Sequence, residues 1–266
     1  MSLVSCDTGR WASNIQTIGK YQMEYTAPKS ICNLCKSEFT TKGIGRHISS
    51  CLKRQSPKTK NTLTKKYCYL SVRDIDNSDY FIFLLISQDS TLDDFDTFLR
   101  KIWLECCGHM SSFSYKKWGE EISMSTKIQN VCNAGSTLIY LYDFGSTTEL
   151  QVKLYGQFSG FFPKLEDIIL LSRNSEPIIP CDECGKFQAV HICTECQWDN
   201  NGWLCEKCAK THECGDDMFL PVVNSPRAGV CAYYGEEEKE RPIPKSLQDT
   251  INDKKDKIKI LKLKLK

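Results

Sequence analysis

Four Cys-x-x-Cys pairs, Cys32/Cys35, Cys181/Cys184, Cys193/Cys196 and Cys205/Cys208, are the residues of this 266-residue chain best placed to do chemistry. A pair at that spacing turns two thiolates toward one point, which suits a tetrahedral ion about 2.3 Å from each sulfur. A disulfide framework has no need of the repeated spacing. The N-terminus MSLVSCDTGRW also lacks the apolar stretch of a secretory signal. Zinc in a reducing, cytoplasmic setting is the expectation for most of the sixteen cysteines.

The densest segment runs from Cys181 to Cys214. Its candidate ligands are Cys181, Cys184, Cys193, Cys196, Cys205, Cys208, His212 and Cys214, enough for two ions. An interleaved grouping pairs Cys181/Cys184 with Cys205/Cys208 and Cys193/Cys196 with His212/Cys214. A sequential grouping gives one ion to the first four ligands and one to the last four. The order resembles that of RING, ZZ, B-box and MYND modules, which favours the interleaved arrangement, although the 205–214 spacing departs from each of them. His191 is read as lying outside the ligand set. With every coordination position taken by protein, none is left for water, so the expectation is structural zinc. A segment this poor in apolar residues needs the metal to fold. It carries six acids (Asp182, Glu183, Glu195, Asp199, Glu206, Glu213) against Lys186, Lys207 and Lys210. Seven thiolates on two divalent ions add further negative charge, and such a surface repels phosphate. Trp198 and Trp203 suit either a protein contact or packing on the zinc core.

The N-terminal set is Cys32, Cys35, His47 and Cys51, a C2HC-type finger. Phe39 and Ile44 resemble the two core apolar positions of a C2H2 finger, with a loop one residue shorter. From Lys36 to Lys66 there are nine Lys or Arg and a single acid, Glu38. That is the electrostatic footprint of a DNA or RNA contact through residues 36–66, or else of a structural finger with a solvated linker. It supplies phosphate attraction without sequence reading.

The expected organisation is a polar segment at 1–30, the finger at 31–52, a basic linker at 53–66, an α+β domain at 67–172, a binuclear zinc module at 181–235 and a charged tail at 236–266. In the α+β domain YCYLSVRDI and YFIFLLIS predict a hairpin across DNSD. A helix follows, capped by Ser90 or Thr91, with Asp93 and Asp94 in its first turn and Gly108 at its end. Leu92, Phe95, Leu99, Ile102 and Trp103 form its apolar face. STLIYLYDF and TELQVKLYG predict two more strands. The fold class expected is α+β, a central β-grasp-like domain flanked by small zinc-stabilised modules. The tail LQDTINDKKDKIKILKLKLK reads as a solvated terminus, or as a basic segment touching membrane or nucleic acid. No apolar run reaches the length of a membrane span.

WLECCGHMSSFSY and YLYDFGSTTELQVKL resemble the plasmid pRiA4b ORF-3-like family, also labelled IS1096 element passenger TnpR-like, over roughly residues 64–172. Its markers here are Trp103, His109, Phe113 and Tyr142-Asp143-Phe144-Gly145. MFLPVVNSPRAGVCAY is similar to a shared C-terminal segment of archaeal members with flanking Cys-rich modules. Where many members continue YDFG with an acid, a Trp and a His, this chain has Ser146, Thr148 and Leu150, so no metal or acid–base role passes to those positions. The family label implies an enzyme or accessory factor of mobile-element DNA rearrangement, yet no nucleophilic Ser within an Arg-rich cluster is present.

Glu105, Cys106, Cys107 and His109 offer a Cys–His pair, or a metal site, at the end of the helix. The competing reading is that His109 caps carbonyls and the cysteines are core. Asp143 reads as a turn-stabilising carboxylate. The sequence therefore points to a non-enzymatic adaptor with about three Zn²⁺ per chain. A nucleic acid is expected at its basic N-terminal half and a protein partner at its C-terminal module. A thiol-redox role for Cys106/Cys107 is the remaining alternative.

Overall fold

The computed structural model describes residues 27–55, 65–160 and 166–235. Most of the polar N-terminal segment, linker residues 56–64 and the charged tail lie outside these. The first described elements are a ribbon of β1 (Lys29–Ile31) and β2 (Glu38–Thr40), running into α1 (Thr41–Gln55). The central domain then supplies β3 (Lys65–Asp74), β4 (Phe81–Ser87) and α2 (Leu92–Leu99). It continues with β5 (Ser111–Ser114), β6 (Glu121–Ile122), α3 (Ile128–Val131), β7 (Thr137–Tyr142), β8 (Thr148–Gly160) and β9 (Ile168–Arg173). Its strands form one seven-stranded antiparallel sheet in the order β6-β5-β7-β8-β3-β4-β9. The molecule is α+β, built on this sheet.

The sheet is covered on both faces, which explains why FIFLLIS is an unbroken apolar run. Ile82, Leu84 and Ile86 join Cys68, Leu70 and Val72 on the face packed by α2. Phe81, Phe83 and Leu85 join Tyr67 and Tyr69 on the other, packed by α1 through Ile44, Ile48 and Leu52. Period-2 alternation thus feeds two cores rather than a core and solvent. Within the α2-side core Cys68 and Cys132 form a disulfide, closing the loop over 64 residues.

Thr91 caps α2 in a reciprocal box with Asp94: the Asp94 N–H donates to Thr91 Oγ1 at 3.2 Å, and the Thr91 N–H donates to Asp94 Oδ2 at 2.8 Å. Past Leu99 the helix widens into a single π-type turn, Arg100–Leu104, and stops four residues before Gly108. Arg100 holds the exit together. It donates to Asp96 at 2.6 Å, to Glu105 at 3.0 Å and to the His109 carbonyl at 2.7 Å. This early stop turns 105–109 into a loop rather than a last helical turn.

Beyond the sheet a small module contains β10 (His191–Cys193), β11 (Trp203–Leu204), α4 (Glu206–Ala209) and β12 (Phe219–Pro221), with β10 central in a three-stranded sheet. The chain then leaves the module. Residues 222–233 return to the central domain as a strap, and Val223 and Tyr233 join its core. The Ser225 hydroxyl donates to the Trp103 carbonyl at 2.6 Å. Within the 181–235 segment, Val223 and Tyr233 thus pack in the core of the central domain.

Candidate metal centres

In the finger, the turn after Cys32 presents Cys35, and α1 presents His47 and Cys51 one helical turn apart, on one face. Their ligand atoms all lie within 4.8 Å of one another. Cys35 Sγ stands 3.2 Å from His47 Nε2, close to the edge of about 3.5 Å that a tetrahedral zinc with these ligands would impose. Phe39 stacks on the His47 ring at 3.8 Å and orients it. The Lys36 N–H donates to the Cys32 carbonyl at 2.7 Å, and Lys36 takes a positive φ of 63° to close the knuckle. Hydrogen bonds from Ser37, side chain then backbone, bring the Cys35 thiol down to about 6. A ligand is thereby ionised at neutral pH.

The finger is docked rather than free. The Asn33 N–H donates to the Leu171 carbonyl at 2.8 Å and the Ser172 hydroxyl donates to the Ile31 carbonyl at 2.9 Å. Gly45 suits the close approach: a Cβ there would stand 3.2 Å from the Phe83 ring, which would have to give by a few tenths of an ångström. With Ile44, Ile48 and Leu52 buried against the sheet, Lys42, Arg46, Lys53 and Arg54 are left exposed. Of the remaining basic residues, Lys65 is paired with Asp167, and Lys58 and Lys60 lie outside the described residues. The single acid, Glu38, is itself paired with Lys29 at 2.9 Å.

In the C-terminal module the eight candidate ligands form two sets, Cys181/Cys184/Cys205/Cys208 and Cys193/Cys196/His212/Cys214, each with its ligand atoms within 4.8 Å. This is the interleaved grouping. Cys184 and Cys205 sulfurs are 3.9 Å apart, and Cys196 and Cys214 sulfurs 3.6 Å, against about 3.8 Å for thiolates sharing a zinc. His212 Nε2 is buried with no hydrogen-bond partner, as a nitrogen reserved for an ion would be. The Lys186 N–H, followed by lesser contributions, lowers Cys184 to about 7, whereas burial raises Cys181. His191 stands apart from both sets, with Nε2 2.9 Å from Glu206. The module's six sequence-marked acids are all exposed. Its two tryptophans divide: Trp203 is buried and Trp198 is 68% exposed.

A fourth set was not assembled by the sequence reading. Cys106, Cys107 and His109 in the loop after α2 meet Cys231 of the strap, again with all ligand atoms within 4.8 Å. Cys107 is 3.0 Å from His109 Nε2, 3.4 Å from Cys231 and 3.7 Å from Cys106, sulfur to sulfur. Cys106 is core as expected, buried in the α2-side cluster, but Cys107 is not and His109 caps no helix, because the helix ends at Leu104. Cys107 is exposed, and His109 points into the cluster. The contact with Cys231, then Cys106, pushes the Cys107 thiol up to about 12, while the contact with His109 first brings Cys231 down to about 7. Three sulfurs so close resist joint ionisation without a cation between them. Four groups that could hold metal therefore stand among the described residues, where about three ions were expected. The sequence offered Cys106, Cys107 and His109 as a metal site beside Glu105, and the structure supplies Cys231 as the fourth ligand candidate in place of Glu105.

Asp143, the other residue singled out in YDFG, takes a positive φ of 65° and accepts from the Gly145 N–H at 3.0 Å. It also receives the fully buried Arg227 at 2.5 Å. Burial works to raise its carboxyl, but Arg227 and the Gly145 N–H hold it below the ordinary carboxylate range.

No protein-family model and no curated protein sequence matches the chain. Among solved structures it is similar to the crystal structure of a protein of unknown function, MM3350, from Methanosarcina mazei Go1. The identity is 15% and the TM-score 0.36, over 41% of this chain and 69% of that one.

Proposed function

We propose that the protein is a zinc-binding, non-enzymatic adaptor that contacts nucleic acid through its N-terminal finger and a protein partner through its C-terminal module. The observation that carries this reading is the way the finger sits. Its apolar face is spent on the sheet, and Lys42, Arg46, Lys53 and Arg54 face solvent. A docked basic helix attracts phosphate without a free recognition surface, which favours sequence-tolerant binding. Closed cysteine-rich sets leave no coordination position for substrate, which supports a structural rather than catalytic role for zinc. The opposite charge of the C-terminal module, with Trp198 exposed among acids, favours a protein contact there. The pRiA4b ORF-3-like resemblance, the β-grasp-like description and a cytoplasmic setting belong to the same reading, with the Cys68–Cys132 disulfide standing against a reducing compartment. No helix among the described residues is long and apolar enough to cross a membrane.

The test is a binding titration of the full chain against mixed-sequence DNA and RNA at several salt concentrations. Affinity should fall steeply with salt. Replacing Lys42, Arg46, Lys53 and Arg54 by Gln should weaken it at least about tenfold and flatten the log–log slope by on the order of 2 to 4. Absence of salt-dependent binding, or binding unchanged in that variant, overturns the nucleic-acid half of the reading.

A further inference from the structure

We infer that Cys106, Cys107, His109 and Cys231 hold a fourth zinc ion, and that this ion fastens the C-terminal strap to the central domain. The donor set is three thiolates and one imidazole, the soft, four-coordinate chemistry of a closed zinc site. Its sulfur–sulfur separations of 3.4 and 3.7 Å lie close to the 3.6 and 3.9 Å of the two module sets, as the same ion would require. The ligands come from chain segments 124 residues apart, so the site cannot serve to fold a local knuckle. What it can do is join two segments.

The segment it joins is an unusual one. The strap carries Arg227, which has no exposed surface, into the central domain. There Arg227 donates to Asp143 at 2.5 Å, to the Ser146 carbonyl at 3.0 Å and to Thr148 Oγ1 at 3.2 Å. Its guanidinium lies 4.8 Å from the Tyr142 ring centroid. Toward the module, the Gln197 side-chain amide donates to the Gly229 carbonyl at 2.7 Å. A metal at Cys231 therefore locks the far end of a segment that touches the sheet, the YDFG turn and the C-terminal module. Three thiolates and a neutral imidazole leave a divalent ion with one net negative charge. The buried Arg227 cation, beside Cys106, offsets it. His109 Nε2 also stands 3.5 Å from Asp143, so the cluster and the ion pair form one assembly. The cysteine at 231 adopts a positive φ of 55°, a conformation held by what surrounds it.

The experiment is elemental analysis for zinc and iron, with native mass spectrometry, on the purified full chain and on Cys231→Ser and Cys231→His. One zinc equivalent should be lost in Cys231→Ser and regained in Cys231→His, and the strap should be cut by protease faster in the serine variant alone. Equal zinc in the wild type and Cys231→Ser overturns the inference. So does iron in place of the missing equivalent, or a Cys107–Cys231 disulfide in the purified wild-type chain. If the serine variant does not accumulate, alkylation of the folded wild type decides. Cys107 protected until chelator is added supports the site, and immediate labelling of this exposed cysteine overturns it. Because the readout is the difference of one equivalent at Cys231, it is independent of nucleic-acid binding.

Discussion

The finger and the C-terminal module both gather cysteines at paired spacing, yet they stand on different foundations. The finger contributes Ile44, Ile48 and Leu52 to a core shared with Tyr67, Phe81, Phe83, Leu85 and Leu171 of the sheet. The C-terminal module has little of its own beyond Leu204, Ala209 and the ligand cysteines, with Ile179, Ala189, Ile192 and Trp203 as a small second group. In the module a bound metal would have to do the work of a core. In the finger it would shape an element that the sheet also holds. Charge follows the same division: the docked finger presents cations to solvent, and the C-terminal module presents acids.

The comparison breaks most directly by removing one ligand from each. Cys181→Ser should unfold the C-terminal module while the central sheet survives, seen as rapid proteolysis confined to residues near 181–214. The matched Cys35→Ser should loosen the knuckle but leave α1 protected, since three of its apolar residues remain buried on the sheet. Equal protease sensitivity at the two ends would erase the distinction.

A smaller effect separates the modules from the sheet between them. Acid protonates thiolates and would strip a bound zinc, so on this account both ends should weaken as pH falls. Asp74, at the end of β3, runs the other way. Burial raises its carboxyl from 3.8 to about 7. Between those values the folded chain binds more protons than the unfolded chain, so this group's contribution to stability falls as pH rises through that window. Asp74→Asn should therefore stabilise the protein above pH 7 by on the order of 2 kcal/mol, with the gain vanishing toward pH 4. Denaturant melts across pH check this, and a gain independent of pH would refute the assignment.

What the sequence made legible was local. Cys-x-x-Cys pairs, the His47/Cys51 spacing and the hairpin of β3 and β4 are each set within a few residues, and the structure gathers the pairs into clusters and pairs the two strands across DNSD. The start of α2 was readable for the same reason, as a cap at Ser90 or Thr91 with acids in the first turn; the structure gives the cap to Thr91. Cys231 was not readable, because its partners lie more than a hundred residues away and no spacing links them. Nor was the buried Arg227: an arginine between Pro226 and Ala228 reads as surface until Asp143 is known to face it. The early end of the helix was hidden as well. It coincides with Arg100 gathering Asp96, Glu105 and the His109 carbonyl at once, a side-chain arrangement that propensity does not encode.

The most direct measurement is the zinc content of the purified full chain by elemental analysis. The account predicts at least three equivalents per chain, one for the finger and two for the C-terminal module, with a fourth at the strap. Fewer than three would contradict it, and the cysteines would then have to be read as redox groups.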